Sequence, residues 1–261
     1  MAQAELAECW RQTGDYRRAS LLLALTLTAS EDHFGEDSPE VAQLCNQAGV
    51  LGKYTGNFDY AERLYLRALG VFRRVYGPDH DSVATLYHNL GGLEHSRGKP
   101  QAGEPWSALS VEVRQRLHGP HHPLVAADIA AWAPLLADCG RLDDAEAQLC
   151  RALDIFESIG DDYEVAVTLH NLAALQYRRH SYRQSLAGSV RALVLKERLL
   201  GSNHPELATT LVNLAMACRS TGQEDRALRY LIRAVQILTP QVDPDHPTLA
   251  AARRALTSLS G

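Results

Sequence analysis

Residues 204–250 read HPELATTLVNLAMACRSTGQEDRALRYLIRAVQILTPQVDPDHPTLA, and the motif that opens this stretch also closes it. His-Pro-x-Leu-Ala occupies residues 204–208 and returns at residues 246–250. Outward from this stretch, the motif alanine recurs at near-constant spacing, at Ala42, Ala84, Ala126, Ala166, Ala208 and Ala250. Every step is equal except the one from Ala126 to Ala166, which is two positions shorter. A fixed period of this size is the signature of a repeat architecture, so we predict an array of similar units.

A second set of positions follows the same period inside each unit. The chain is predicted to turn at position 14 and at the fourteenth residue after each of the first five motif alanines. These turn positions are Gly14, Gly56, Gly98, Gly140, His180 and Gly222. Five and twelve residues beyond each turn come small side chains, such as Ala61 and Ala68. Glycine tolerates the positive φ at which a chain reverses, and small side chains let helices approach closely. Each unit is therefore predicted to be a helix, a turn, a second helix and an exit loop.

The residues between these markers favour helices throughout. Apolar side chains recur at helical spacing in residues 64–75 and 149–156, and no segment shows sustained strand alternation. One helix pair cannot bury its own apolar face, whereas stacked pairs can. We predict an all-α, single domain over residues 1–261 with a capping helix at 246–261 and six repeats, at about 1–37, 38–79, 80–121, 122–161, 162–203 and 204–245. The one short step places a two-residue deletion in the last turn or exit loop of the fourth repeat.

The last full unit carries a family pattern in the following residues: Asn213-Leu214-Ala215, Gly222, Ala227, Arg233-Ala234 and Asp245-His246-Pro247. This pattern resembles the 42-residue tetratricopeptide repeat of kinesin light chains, and the resemblance covers nearly the whole chain. The family implies a right-handed α-solenoid that binds a peptide or protein segment on its concave face. That face, the groove, is lined mainly by the first helix of each pair.

In peptide-binding repeats of this family, an asparagine nine residues before the turn glycine often holds the ligand backbone. An amide can donate to a peptide carbonyl and accept from a peptide N–H. The corresponding positions hold Glu5, Gln47, Asn89, Ala131, Asn171 and Asn213. Other groove positions hold Lys53, His88, His95, His170, Tyr177, Arg178 and Arg219, opposed by Glu8 and Asp138. The resemblance therefore implies a binding set made of Gln47, Lys53, His88, Asn89, His95, His170, Asn171, Tyr177, Arg178, Asn213 and Arg219.

This basic groove suggests an extended, acidic ligand with one or two apolar anchors. The asparagines have a second interpretation, in which they bond a neighbouring repeat and serve the structure alone. Two other functions stay open: a scaffold that self-associates through its outer face or its ends, and a regulatory or sensor module of a larger signalling protein.

Composition argues against other classes of function. The net charge of −5 gives no basic footprint for nucleic acid. No apolar run approaches the ~18 residues of a membrane span, and the first residues do not form a signal peptide. The five cysteines are odd in number and form no Cys-x-x-Cys pair, which predicts reduced, mostly buried thiols in a cytoplasmic protein.

Catalysis, cofactors and metals are not expected either. No nucleophile, base and orienting group can be assembled from the sequence. Gly49–Lys53 lacks the spacing of a phosphate loop and falls in a predicted helix. The histidines before proline, such as His122 and His204, recur with the repeat and are interpreted as helix caps. The denser set of His118, His121 and His122 lacks a fourth metal ligand.

Overall fold

The computed structural model describes residues 2–12, 15–241 and 246–260, and within these residues it contains helices, turns and no strand. The chain forms two compact units, residues 1–139 (unit 1) and residues 140–261 (unit 2). Unit 1 holds α1 Ala2–Gln12, α2 Tyr16–Phe34, α3 Pro39–Tyr54, α4 Phe58–Tyr76, α5 Asp81–Ser96, α6 Pro100–His118 and α7 Pro123–Asp138. Unit 2 holds α8 Leu142–Ile159, α9 Asp162–Arg178, α10 Tyr182–Leu200, α11 Leu207–Ser220, α12 Glu224–Leu238 and α13 Pro247–Ser260.

Both units are built from antiparallel helix pairs. In unit 1, α3 packs on α4 and α5 packs on α6, while α2, α4 and α6 each contact the helix that follows. In unit 2, α9 packs on α10 and α11 packs on α12, and α13 contacts both α11 and α12. The predicted all-α solenoid of helix pairs, closed by a C-terminal helix, is confirmed. The division into six repeats within one domain stays a prediction.

The small residues of the repeat lie where helices meet. The motif alanines of the first helices are fully buried: Ala42, Ala84, Ala126, Ala166 and Ala208. The matching second-helix residues are also fully buried: Ala68, Ser110, Ala152, Ala192 and Ala234. A larger side chain at these positions would separate the helices, because protein interiors are close-packed. This explains why the period of small residues predicts the helix pairs.

The predicted turns adopt the backbone that glycine favours. Gly56, Gly98, Gly140 and Gly222 have φ between 72° and 83°. His180 occupies the same register with φ 61°, and no other non-glycine residue in the described part of the chain has positive φ. Its Nδ1 lies 2.7 Å from the hydroxyl of Tyr182. Gly14 lies outside the described residues.

Two of the histidine caps and the shortened exit loop follow the prediction, whereas the N-cap of α11 is Glu206 and not His204. His80 and His122 cap α5 and α7, because Nδ1 of each accepts the backbone N–H two residues later. The connection between α8 and α9 is only residues 160–161, whereas residues 77–80 connect α4 to α5. The two-residue deletion therefore falls in this exit loop. The last exit turn, Asp243-Pro244-Asp245, lies outside the described residues.

The predicted cytoplasmic location of the protein is based partly on its cysteines. Cys45 and Cys218 are buried, whereas Cys139 is half-buried and Cys9 and Cys150 are exposed, so the expectation of mostly buried thiols is wrong. Cys9 and Cys150 lie on exposed helix faces, where the repeat does not require small residues. None of the described helices is both long and apolar enough to cross a bilayer. A cytoplasmic location stays a prediction.

Gly103 departs from the repeat for a packing reason that yields a prediction. Most of its equivalents are alanines, yet a Cβ at Gly103 would lie 2.7 Å from the carbonyl oxygen of Gly91 and 2.7 Å from Cδ2 of Leu135. Gly103→Ala is therefore expected to destabilise unit 1 by about 1–3 kcal/mol through overpacking. Denaturant unfolding measures the loss, with Gly70→Ala as the matched control. A Cβ at Gly70 meets only Arg74 at 3.8 Å, so that variant gains about 1 kcal/mol of helix propensity. Equal effects of the two variants would contradict the packing described here.

Candidate functional site

The residues predicted to bind a ligand lie on the first helices of four pairs. In unit 1 they form a surface that we call groove face 1, made of Gln47, Lys53, His88, Asn89 and His95 on α3 and α5. In unit 2 they form groove face 2, made of His170, Asn171, Tyr177, Arg178, Asn213 and Arg219 on α9 and α11. The constant period of the repeat brings equivalent side chains of neighbouring first helices together on each face.

A charged network underlies groove face 1. Nδ1 of His88 lies 2.8 Å from Oδ1 of Asp128, and Nε of Arg114 donates to Oδ2 of the same carboxylate at 3.1 Å. Arg114 also donates to Asp81 at 2.6 Å and to the hydroxyl of Thr85 at 2.9 Å. Asp128 is 4% exposed and Arg114 is 8% exposed, so these charges are buried and paired.

Sequence reasoning did not include Arg114 and Asp128, the two buried charged residues of this network, in the predicted site. The available signal was Asp128 itself, a lone carboxylate within the apolar sequence of residues 123–137. The consequence for binding is that His88 already has an acidic partner. His95 has one too, because its Nε2 lies 2.9 Å from Oδ2 of Asp138. Groove face 1 is therefore less basic than its sequence suggests.

Two of the three asparagines bond the preceding repeat. Nδ2 of Asn89 donates to Oδ1 of Asn46 at 2.8 Å. Nδ2 of Asn213 lies 3.4 Å from Nε2 of His170. Asn171 differs from both, because its half-buried amide has no hydrogen bond within the described residues. Asn89 and Asn213 therefore make the contacts expected if the asparagines bond a neighbouring repeat. The amide of Asn171 remains available for hydrogen bonds to a ligand.

Gln47 borders a cavity of about 570 Å³ in unit 1. Phe34, Phe72 and Tyr76 line this cavity and make it suitable for an apolar side chain. Oε1 of Gln47 is buried and has no hydrogen-bond partner among the described residues, so it can accept from a ligand N–H. Carboxylates also line the cavity, at Glu5 and Glu40. An acidic ligand group is therefore disfavoured at this place.

Lys53 lies half-buried against a glycine. A Cβ at Gly92 would lie 2.9 Å from Nζ of Lys53, so the absence of a side chain there makes room for the ammonium. Burial lowers the pKa of Lys53. In the described part of the chain this ammonium has no ion pair or hydrogen bond, which leaves its charge available to an anionic group.

Groove face 2 contains a half-buried histidine, His170, beside a buried lysine, Lys196. His170 bonds to Thr210, with Nδ1 lying 3.2 Å from Oγ1. Burial lowers the pKa of His170 to about 4, and the neighbouring Lys196 acts in the same direction. His170 is therefore neutral at pH 7 and adds no positive charge to this face, while its predicted part in ligand binding stays a prediction. The physical reason is that burial disfavours the charged imidazolium.

The other members of groove face 2 lie near the surface. The hydroxyl of Tyr177 is 3.1 Å from Oγ of Ser220. Arg219 donates to the neutral hydroxyl of Ser258 at 3.2 Å, and Arg178 is exposed at the end of α9. Both guanidinium groups carry fixed positive charge to this face.

The loop histidines interact with protein groups. The rings of His118 and His122 stack with centroids 4.5 Å apart, and Nε2 of His118 lies 2.8 Å from Oδ1 of Asp81. Within the described ranges, no group of three histidine, cysteine or acidic side chains is placed to hold a metal ion.

Comparison with known proteins agrees with this fold. The family profile described as "Tetratricopeptide repeat" matches residues 40–104, 83–158 and 164–239, which is more than half of the chain. The protein belongs to the tetratricopeptide-repeat family, whose fold is that of protein–protein interaction scaffolds.

Individual relatives match over different lengths. A clustered mitochondria protein homolog from Danio rerio is 31% identical over 101 residues, which are 38% of this chain and 7% of the relative. The chain thus spans a small part of the curated relative that it matches. BtubC (BKLC) from P. vanneervenii is 22% identical with a TM-score of 0.69, covering 93% of both chains.

A putative kinesin light chain of Podosopora anserina, with nearly identical TPR-like repeats, is 19% identical with a TM-score of 0.60. That alignment covers 69% of this chain and 87% of the other. These two structural similarities show the fold alone, and they confirm the resemblance to repeats of the kinesin light chain type.

Proposed function

We propose that the protein is an adaptor that binds an extended segment of a partner protein on its groove faces and that it catalyses no reaction. The observation that carries this proposal is the set of groove amides without internal partners. Oε1 of Gln47 is buried and unsatisfied, and the amide of Asn171 has no bond within the described residues. Buried polar atoms normally have partners, so these atoms are suited to the backbone of a bound segment.

Positively charged side chains on the two groove faces support an acidic partner segment. The residues that carry this charge differ between the two units. On groove face 2, Arg178 and Arg219 add positive charge, and the described contact of Arg219 is with a neutral hydroxyl. On groove face 1, Lys53 is the unpaired cation within the described residues, since His88 and His95 already contact carboxylates. The cavity beside Gln47 suits an apolar anchor. We therefore propose acidic residues and an apolar anchor in the ligand.

Selection from a random peptide library displayed on phage tests this function. The expected result is enrichment of peptides that contain Asp or Glu together with an apolar residue, with affinity that falls as salt is raised. The variant Gln47→Ala with Asn171→Ala is expected to bind the selected peptides at least about tenfold more weakly, equivalent to about 1.4 kcal/mol.

The matched control removes amides of the same kind from exposed positions on second helices. Gln101→Ala with Gln184→Ala is expected to bind like the unaltered protein, because both side chains are exposed on α6 and α10. Peptides that bind the two double variants equally would show that the groove amides do not take part. Peptides without acidic enrichment, with salt-independent affinity, would contradict the charge preference.

A further inference from the structure

The second helix of the first pair, α2, has an apolar face exposed to solvent. Leu21 is 63% exposed and Leu25 is 62% exposed, while Leu23 on the opposite side is buried in the core of unit 1. The two leucines lie on one side of the helix with two small exposed residues, because residues three or four apart are neighbours on a helix surface. We call this surface the α2 stripe, and its members are Leu21, Ala24, Leu25 and Thr28.

The next second helix has charged residues in the same register. The period of the motif alanines places Arg63 and Arg67 of α4 where α2 has Leu21 and Leu25. Arg67 reaches the neighbouring second helix, since it forms an ion pair with Glu31 of α2. In the described chain no helix precedes the first pair, so Leu25 has no second helix to contact on that side. The leucines of the α2 stripe are therefore exposed where later repeats use arginine.

Opposite charges lie at the two ends of the α2 stripe. Arg17 lies one helical turn before the stripe and Asp32 lies one turn after it, and both side chains are exposed. Neither side chain makes an ion pair or hydrogen bond within the described residues. The adjacent charges, Arg18 and Glu31, already form ion pairs within unit 1. One cation and one carboxylate thus remain available at opposite ends of the apolar surface.

This pattern is self-complementary when two copies of α2 pack antiparallel. A two-fold axis between Ala24 and Leu25 gives an isologous contact, in which every pair of facing residues occurs twice. The facing pairs are Ala24 with Leu25, Leu21 with Thr28, and Arg17 with Asp32. Parallel packing would instead place Arg17 beside its own copy. The charges therefore favour the antiparallel arrangement.

We propose that the protein forms a homodimer through the α2 stripe, with the two α2 helices antiparallel about this axis. Removal of leucine surface from water drives the association, and the two pairs of Arg17 with Asp32 fix its direction and register. A contact made by one helix is smaller than the ~800 Å² per partner of a standard interface, so a dissociation constant in the micromolar range is expected.

The dimer gives the proposed adaptor a second property. Each dimer carries two copies of both groove faces, so a partner with two recognised segments can bind both subunits at once. The second binding event is then intramolecular and strengthens the overall attachment without any new contact.

Sedimentation equilibrium of the full chain at about 1 to 300 µM tests the dimer, since this range spans micromolar dissociation constants. The expected result is a reversible monomer–dimer equilibrium. Leu25→Glu places a carboxylate of each copy beside the axis, so it is expected to raise the dissociation constant at least about tenfold. Val194→Glu is the matched control, because Val194 is 59% exposed on α10 and lies outside the proposed contact. This control is expected to dimerise like the unaltered protein.

Charge exchange tests the antiparallel register. Arg17→Glu and Asp32→Arg each place like charges together at both ends of the contact, and each alone is expected to weaken the dimer about tenfold. An equimolar mixture of the two variants restores opposite charges at both ends, so heterodimers of nearly unaltered affinity are expected. In a parallel dimer neither single change would reduce the affinity, because like charges already face each other there.

Two results would overturn the homodimer. One is the monomer mass over the whole concentration range, which would show that a helix covering the α2 stripe belongs to another protein. The other is a dimer whose affinity is unchanged by Leu25→Glu or by the charge variants. Both results are separate from groove recognition, because α2 carries no residue of either groove face.

Discussion

Replacing Asp128 with alanine is expected to destabilise unit 1 by about 3 kcal/mol, because it leaves the buried guanidinium of Arg114 without its most buried partner. Removal of one member of a buried ion pair typically costs about 3–5 kcal/mol. The lower end applies here, since Asp81 still accepts from Arg114 at 2.6 Å. Hydrogen exchange of α5, α6 and α7 measures the loss in unit 1 directly.

Two comparisons make the Asp128 result specific. Asp138→Ala removes a carboxylate whose contact with His95 is exposed, so a loss of at most about 1 kcal/mol is expected. The double variant Arg114→Met with Asp128→Leu replaces the pair by apolar groups, and it is expected to cost less than Asp128→Ala alone. A loss below about 1 kcal/mol for Asp128→Ala would contradict the buried network.

Acid is expected to destabilise unit 2 through His170. The pKa of this histidine is about 4 in the folded protein, against about 6.5 in an unfolded chain. Between these values the unfolded state binds the proton and the folded state does not, so the stability present above pH 6.5 falls as the pH falls. The loss attributable to His170 reaches about 3 kcal/mol at pH 4.

Hydrogen exchange of α9, α10 and α11 at pH 7 and near pH 4.5 measures this acid effect, after correction for the intrinsic exchange rate. His170→Gln keeps a polar side chain and removes the titration, so most of the His170 loss is expected to disappear. His121→Gln, an exposed loop position, is the control and is expected to retain the loss. If His170→Gln and the unaltered protein lose the same stability, His170 is not the acid-sensitive group.

The fold could be predicted from the sequence because its period is carried by packing. Ala84, Ala166 and Ala208 are fully buried at helix contacts, so each repeat must keep a small residue there. The turn register was equally informative, since it identified His180 as a position of positive φ without any glycine. The residue types at these positions and the spacing of the repeat were enough to predict these features.

The candidate site was less predictable because its chemistry depends on contacts between helices. The pairing of Arg114 with Asp128 joins residues on different helices, and no sequence spacing shows that both side chains are buried. The same limit applies to His170, whose neutral state follows from burial and the nearby Lys196. Gln47 was predicted by its position, but its unsatisfied oxygen became visible only in the folded protein.

Site-specific photocrosslinking tests groove recognition most directly. The photoreactive residue p-benzoylphenylalanine replaces Asn171 on groove face 2 in one variant and Val194, an exposed residue of α10, in the other. Groove recognition predicts adducts between partner proteins and the first variant, with none at position 194 and fewer when selected peptide is added. Adducts that form at position 194 but not at position 171 would place the partner on the second helices and contradict groove recognition.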